Sequence, residues 1–258
     1  MPTVSAAHKA RFDRICEEAM RRDIRIADSG IGTLGEKRLH AVIKRYLCED
    51  TDCHEVGVPD RRFVSDVRIG DEIYEVQTGD FYPMRQKIAY YMEHTDCTVT
   101  VVHPLAARRW MSWIDPKTTE ISPRTRVTRS STPVELLPQL YTLSEHLQNP
   151  RLRFRVLMLE TQDFRLLNSR SRNPKLRTKH YERIPLALLD ELAFNSPEDF
   201  RALIPEALPS HFTVKDFSKA TKIQGRDAYS AVRALVARGL AAPADPIGRA
   251  MGFELLAK

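Results

Sequence analysis

Apolar positions recur at helical spacing near the N-terminus and give way to alternation from about residue 54. Residues 5–23 read as a charged amphipathic helix. After a break at DSGIGTLGE, residues 34–48 carry Leu39, Val42, Ile43, Tyr46 and Leu47, the three-four spacing of a helix with one buried face. HEVGV (54–58), RFVSDVRI (62–69) and EIYEVQT (72–78) then read as three strands separated by turn residues. TGDFYPMRQKIAYYMEH opens a helix, with Asp80 placed to cap it and Pro83 in the first turn, where a missing N–H costs nothing. CTVTVVHPL (97–105) reads as a buried strand, and RRWMSWID with TTEIS as a small hairpin. PVELLPQLYTLSEHL reads as a helix that tolerates Pro138 only near its start or at a kink, and RFRVLMLETQDF (153–164) as a further strand. This order predicts an α/β layered domain with a mixed sheet.

The pattern changes near residue 185. PLALLDELAF and SPEDFRALIP read as helices, and FTVKDFSKAT opens with Thr213 and Asp216 at nearly the spacing of a capping box. GRDAYSAVRALVARGL runs as a helix to a capping glycine, Gly239, with Ala228, Val232, Leu235 and Val236 on one face. ADPIGRAMGFELLA has the look of a two-stranded wing, so this end predicts a small C-terminal winged helix-turn-helix domain. Its second helix would turn Gln224, Arg226, Ser230 and Arg233 toward a DNA major groove, with Arg249 in the wing and Lys222 near phosphates. The same shape also serves protein contacts or dimerisation. Residues 168–184 show no apolar period and read as a basic linker. The expected organisation is therefore a first domain over 1–167, the linker over 168–184 and the second domain over 185–258.

Charge sharpens this picture. The chain of 258 residues carries a net charge of +6. Between Arg151 and Arg183, ten Lys and Arg stand against three acids, so the local excess exceeds that of the whole chain. Arg170, Arg172, Lys175, Arg177 and Lys179 in that stretch suit a polyanion such as DNA, the alternative being a solvated basic surface. No run of about 18 apolar residues is present, which argues against a membrane span, and the N-terminus lacks an apolar signal region. Four cysteines suit a reducing interior, so the expected location is cytoplasmic. Cys48, Cys53 and His54 match no zinc spacing and read as structural.

The candidate chemistry lies in FVSDVRIGDEIYEVQT (63–78). A two-residue turn at Gly70-Asp71 would pair Ile69 with Glu72, Val67 with Tyr74, Asp66 with Glu75 and Val64 with Gln77. Phe63, Val67, Ile69, Tyr74 and Val76 would then form a core face, and Asp66, Glu75 and Gln77 the other. Directly opposed like charges, with Cβ atoms about 4.5–5.5 Å apart, are destabilising unless they share a proton or bind a cation. Two carboxylates with a nearby carbonyl, such as that of Val76, suit Mg²⁺ or Mn²⁺, which can activate water and offset charge on a phosphate. The alternative is a pair of acids on a solvent-exposed sheet face.

These residues resemble the PD-(D/E)xK, or restriction-endonuclease-like, nuclease superfamily. The matching positions are Glu36 in GEKRLHAVI, Asp66 in FVSDV and Glu75-Val76-Gln77 in YEVQ. The fit runs from about residue 30 to 105 and more loosely over 134–164. The resemblance implies a restriction-endonuclease-like α/β/α core with a mixed sheet, and a metal-dependent DNA endonuclease that hydrolyses phosphodiester bonds. It places the metal on Asp66, Glu75 and the Val76 carbonyl, with Glu36 in support, and it allows a homodimer. The usual lysine is replaced by Gln77, which offers a dipole rather than a charge. Lys87 on the following helix can take that role, as can Lys37, and Arg85 can hold a phosphate. The alternative is a catalytically inactive nuclease-fold protein that binds DNA or regulates.

Overall fold

The computed structural model describes residues 4–20, 38–58, 63–167 and 178–256. Seven strands form one mixed sheet: β1 (His54–Gly57), β2 (Val64–Ile69), β3 (Glu72–Val76), β4 (Thr98–Ile114), β5 (Thr125–Val127), β6 (Leu152–Leu167) and β7 (Thr178–Phe194). The order is β1-β2-β3-β4-β6-β7, with β5 attached to β4. Strands β2 and β3 are antiparallel, whereas β3 and β4 are parallel. A parallel pair needs a crossover, and α3 (Arg85–His94) provides it. A second sheet, of order β8-β10-β9, joins β8 (His211–Phe212), β9 (Ala241–Ile247) and β10 (Ala250–Leu255).

The register next to the turn is as expected, with Val67 facing Tyr74 and Ile69 facing Glu72; the pairs expected farther out, Asp66 with Glu75 and Val64 with Gln77, are not among the ladder's partners. Gly70 makes the turn possible at φ +58°, a left-handed conformation that a Cβ would disfavour. The entry to α3 differs from the expected one: Met84 precedes α3 and Phe81 precedes the 3₁₀ turn before it, neither with a side-chain cap bond, so Asp80 is not the helix N-cap. The Asp80 side chain accepts the Tyr82 N–H at 2.7 Å, and Pro83 lies in the 3₁₀ turn Tyr82–Met84 just before the helix.

The chain forms two compact units, residues 1–54, 104–131 and 157–191 in the first, and 55–103, 132–156 and 192–258 in the second. In the first unit, α1 (Ala6–Met20) and α2 (Arg38–Leu47) bury Phe12, Ile15, Leu39, Val42 and Ile43, with Phe12 edge-on to Tyr46 at 5.2 Å. The four cysteines are free thiols, and the Cys48 carbonyl is bonded by His54 Nε2 at 2.8 Å. In the second unit an aromatic core links Phe81 to Phe154 and Phe154 to Phe200, and Phe194 also packs on Phe200. Full burial of each ring is worth roughly 1.5–3 kcal/mol. The helices α4 (Leu136–Leu140), α5 (Val214–Thr221) and α6 (Gly225–Ala237) belong to this unit, α6 against both α4 and α5. The Thr213–Asp216 capping box forms, and Gly239 takes φ +75° just after α6.

Three expectations are corrected. PLALLDELAF is not a helix but the second half of β7, which runs for 17 residues. Its buried positions Ile184, Leu188 and Leu192 repeat every fourth residue, a spacing that one turn of helix and two steps of strand alternation share. The boundary expected at 184/185 therefore falls inside a strand. Of the stretch expected as linker, 178–184 belongs to β7 and 168–177 lies outside the described residues. RRWMSWID is the continuation of β4 and also one arm of the expected hairpin with TTEIS: Ile114 bridges Ile121, the Asp115 N–H donates to the Glu120 carbonyl at 3.0 Å and the Ser122 N–H to the Trp113 carbonyl at 2.9 Å. PVELLPQLYTLSEHL is helical only in pieces, a five-residue α4 between 3₁₀ turns, with non-helical backbone at Leu143.

Candidate active site

The two acids of the hairpin do not share one environment. Asp66 is half-buried, and its Oδ2 accepts the Val76 N–H at 2.7 Å across the ladder. Glu75 is only 2% exposed. The helix that follows β3 covers it: Lys87 Nζ lies 2.5 Å from Glu75 Oε2, and the Tyr91 hydroxyl donates to Oε1 at 2.9 Å. Lys87 and Tyr91 are four residues apart, so they stand on one face of α3 and reach one carboxylate together. The acid face of the hairpin is thus a roofed site, not an open surface. Ile73 on the same face is fully buried, and Tyr74, expected in the core, is half-buried with its hydroxyl on Glu72 at 2.5 Å.

Electrostatics follow from this burial. Loss of water pushes the Glu75 carboxyl up to about 7; the Lys87 ammonium and the Tyr91 hydroxyl pull it down, and the Asp66 charge pushes it up further. Burial next to Glu75 likewise raises the Tyr91 phenol, so this group stays a donor. Tyr91→Phe is expected to cost about 1.5–3 kcal/mol at a pH where Glu75 is charged, because it removes a bond to a buried carboxylate. Denaturant melts would show the loss, and it should shrink in acid, where Glu75 carries a proton.

Gln77 is committed elsewhere. Its side-chain amide donates to the Asp80 carbonyl, and its own carbonyl meets His103 Nδ1 at 2.6 Å. His103 is buried, its basicity lowered by desolvation, and it packs edge-on against Phe81 at 5.0 Å. These bonds fix the turn that aims α3 at Glu75. The hard oxygen donors present are Asp66 and Glu75, and no group of three or more His, Cys, Asp or Glu gathers around a metal position among the described residues. A divalent ion would therefore rest on two carboxylates and keep most of its water, as Mg²⁺ does. The Lys87 ammonium already stands as a cation at one of these oxygens.

The remaining expected residues disperse. Glu36, Lys37, Arg170, Arg172, Lys175 and Arg177 lie outside the described residues, and Lys179 is on β7. Arg85 is exposed and lies over the Tyr82 ring at 5.3 Å. Lys222 ends α5 in a left-handed conformation, Gln224 precedes α6, and both are exposed, as are Arg226 and Arg249. Ser230 and Arg233 are half-buried. Sequence reasoning missed Tyr91, although its place four residues after Lys87 in RQKIAYY carried the signal.

The profile of a family described as a domain of unknown function (DUF8091) matches residues 37–195. The chain belongs to the DUF8091 family. No curated protein and no solved structure matches it. The DUF8091 match contains Asp66, Glu75, Lys87 and Tyr91 and ends before α5 and α6. No described helix is long and apolar enough to cross a membrane.

Proposed function

We propose that the chain is a divalent-metal-dependent phosphodiesterase acting on DNA, with its centre at Asp66, Glu75 and Lys87. The observation that carries this reading is the 2.5 Å approach of Lys87 on α3 to Glu75 on β3, with Asp66 on the adjoining strand β2. The positive charge expected at Gln77 arrives from the next helix instead. The arrangement of antiparallel β2–β3, crossover α3 and parallel β4 supports a restriction-endonuclease-like core, and α5, α6 and the β8-β10-β9 sheet support a winged helix.

An ion held by Asp66 and Glu75 would activate water and offset phosphate charge. The chain's own residues do the rest. Tyr91 holds Oε1 of Glu75 in place, and the Val76 N–H holds Asp66. Lys87 balances Glu75, and its side chain, 20% exposed, can turn outward to meet a phosphate oxygen. Gln77 keeps the turn closed and moves no proton.

Purified chain with Mg²⁺ or Mn²⁺ is expected to cut at least one of duplex, branched and single-stranded DNA. Lys87→Met should slow the cut about a hundredfold, the size of effect that one lost charge on a transferring phosphate produces. Gln77→Ala should matter far less. No cutting of any of these, or cutting indifferent to Lys87→Met, would count against the proposal. A second reading has its own support: both Glu75 oxygens are already bonded within the protein, as suits a nuclease-fold protein that binds DNA without cutting. That reading expects DNA binding without divalent ions and no cleavage.

A further inference from the structure

Residues 104–131 hold six basic side chains against two acids, together with both tryptophans of the chain. The ladder between β4 and β5 organises them. Trp110 lies directly opposite Arg126, and Arg109 opposite Val127. Side chains two apart on a strand share a face, so Arg108 stands beside Trp110 and Arg124 beside Arg126. The contacts agree. The Arg124 guanidinium lies over the Trp110 ring at 4.6 Å, and Arg108 Nη1 and Trp110 Nε1 both donate to the Glu160 carboxylate, at 2.9 and 2.6 Å.

Glu160 is thus already satisfied by two donors, and it is the carboxylate this cluster holds. Arg124 and Arg126 are exposed, and neither has a carboxylate partner among the described residues. Trp110 fixes Arg124 in place before any ligand arrives, so little side-chain freedom remains to be lost. Guanidinium groups present a planar fork that matches phosphate oxygens, and all three cations here are arginines.

We propose that the Arg108–Trp110–Arg124–Arg126 face of β4 and β5 is a phosphate-binding surface for duplex DNA. It rests on the reading of DNA as partner, not on cleavage. It holds the backbone and leaves base recognition to other elements, because contacts to phosphate carry affinity but no sequence information. It adds to the chain a DNA contact that does not depend on α6.

Fluorescence anisotropy with labelled duplex in EDTA tests this surface apart from the metal chemistry. Replacing both residues (R124Q with R126Q) is expected to weaken binding about tenfold at physiological salt and to lower the slope of log affinity against log salt by about 2. Arg126→Gln alone, which leaves the Arg124–Trp110 stack intact, should lower the slope by about 1. An unchanged affinity and slope in both variants, while the wild-type chain binds duplex, overturns this surface alone. A wild-type chain that binds no duplex removes the nucleic-acid reading along with it. Polyglutamate that binds as tightly as duplex, with the same loss in the variants, makes the face an unselective polyanion patch and overturns the assignment to DNA.

Discussion

Asp66→Asn is expected to remove metal-dependent DNA cleavage by about a thousandfold or more, while the chain keeps its fold. Asparagine retains an oxygen that can accept the Val76 N–H now held at 2.7 Å, so the β2–β3 pairing has no reason to part. What it loses is the charge. With Asp66 neutral, a hard cation would have a single carboxylate left, and that one is shared with Lys87 and Tyr91. Initial rates on the best substrate, beside melting curves for both proteins, check the claim. A variant that melts like the wild type and still cuts at the wild-type rate would move the chemistry away from the hairpin.

Glu75→Gln is expected to make the protein more stable than the wild type at alkaline pH, and the gain should fade in acid. The fold raises the Glu75 carboxyl from 4.5 to about 7, so it binds a proton more tightly than the unfolded chain does. Stability from that proton is fully present below the unfolded value and is lost as pH rises through about 7. A shift of this size is worth on the order of 3 kcal/mol. Glutamine imitates the protonated acid and has nothing to lose on that rise, and Lys87 can turn to water once its partner is neutral. Urea melts across the range would show the difference opening with pH. A stability difference that does not change with pH would mean that Glu75 ionises as freely in the fold as outside it. The same substitution should abolish cleavage, a cost to stability kept for the sake of a site.

Much of the hairpin was legible because local rules set it. The Gly70-Asp71 turn and the alternation of apolar residues fix the register, and a two-residue turn leaves no freedom to slip. A local role for Asp80 was legible for the same reason, since its carboxylate acts on the N–H two residues on, but its expected place as the cap of α3 was not, because a 3₁₀ turn comes first. The roof over Glu75 was not. It depends on how α3 turns about its own axis after the crossover, and that follows from packing of Ile88 and Tyr91 rather than from spacing within the hairpin. The sequence placed Lys87 among several substitute cations; only tertiary packing singles it out.

The same limit explains the other differences. The four-residue repeat of Ile184, Leu188 and Leu192 cannot tell helix from strand, and the sheet decides it by offering β6 as a neighbour for β7. The arginine face of β4 and β5 was hidden because Trp110 and Arg124 are fourteen residues apart and meet only through the ladder. Its compositional trace, six cations and two tryptophans between 104 and 131, was present in the chain all along.

The central claim is that Asp66 and Glu75 together hold a divalent ion, and calorimetric titration of Mn²⁺ into the metal-free protein near neutral pH tests it most directly. Run in two buffers of different ionisation enthalpy, the titration should show binding with release of part of a proton, since Glu75 is poised at about 7 and an ion beside it favours the charged form. Binding, and with it the proton release, should vanish in both Glu75→Gln and Asp66→Asn. Absence of binding to the wild-type protein, or binding that persists unchanged in Asp66→Asn, would contradict the account.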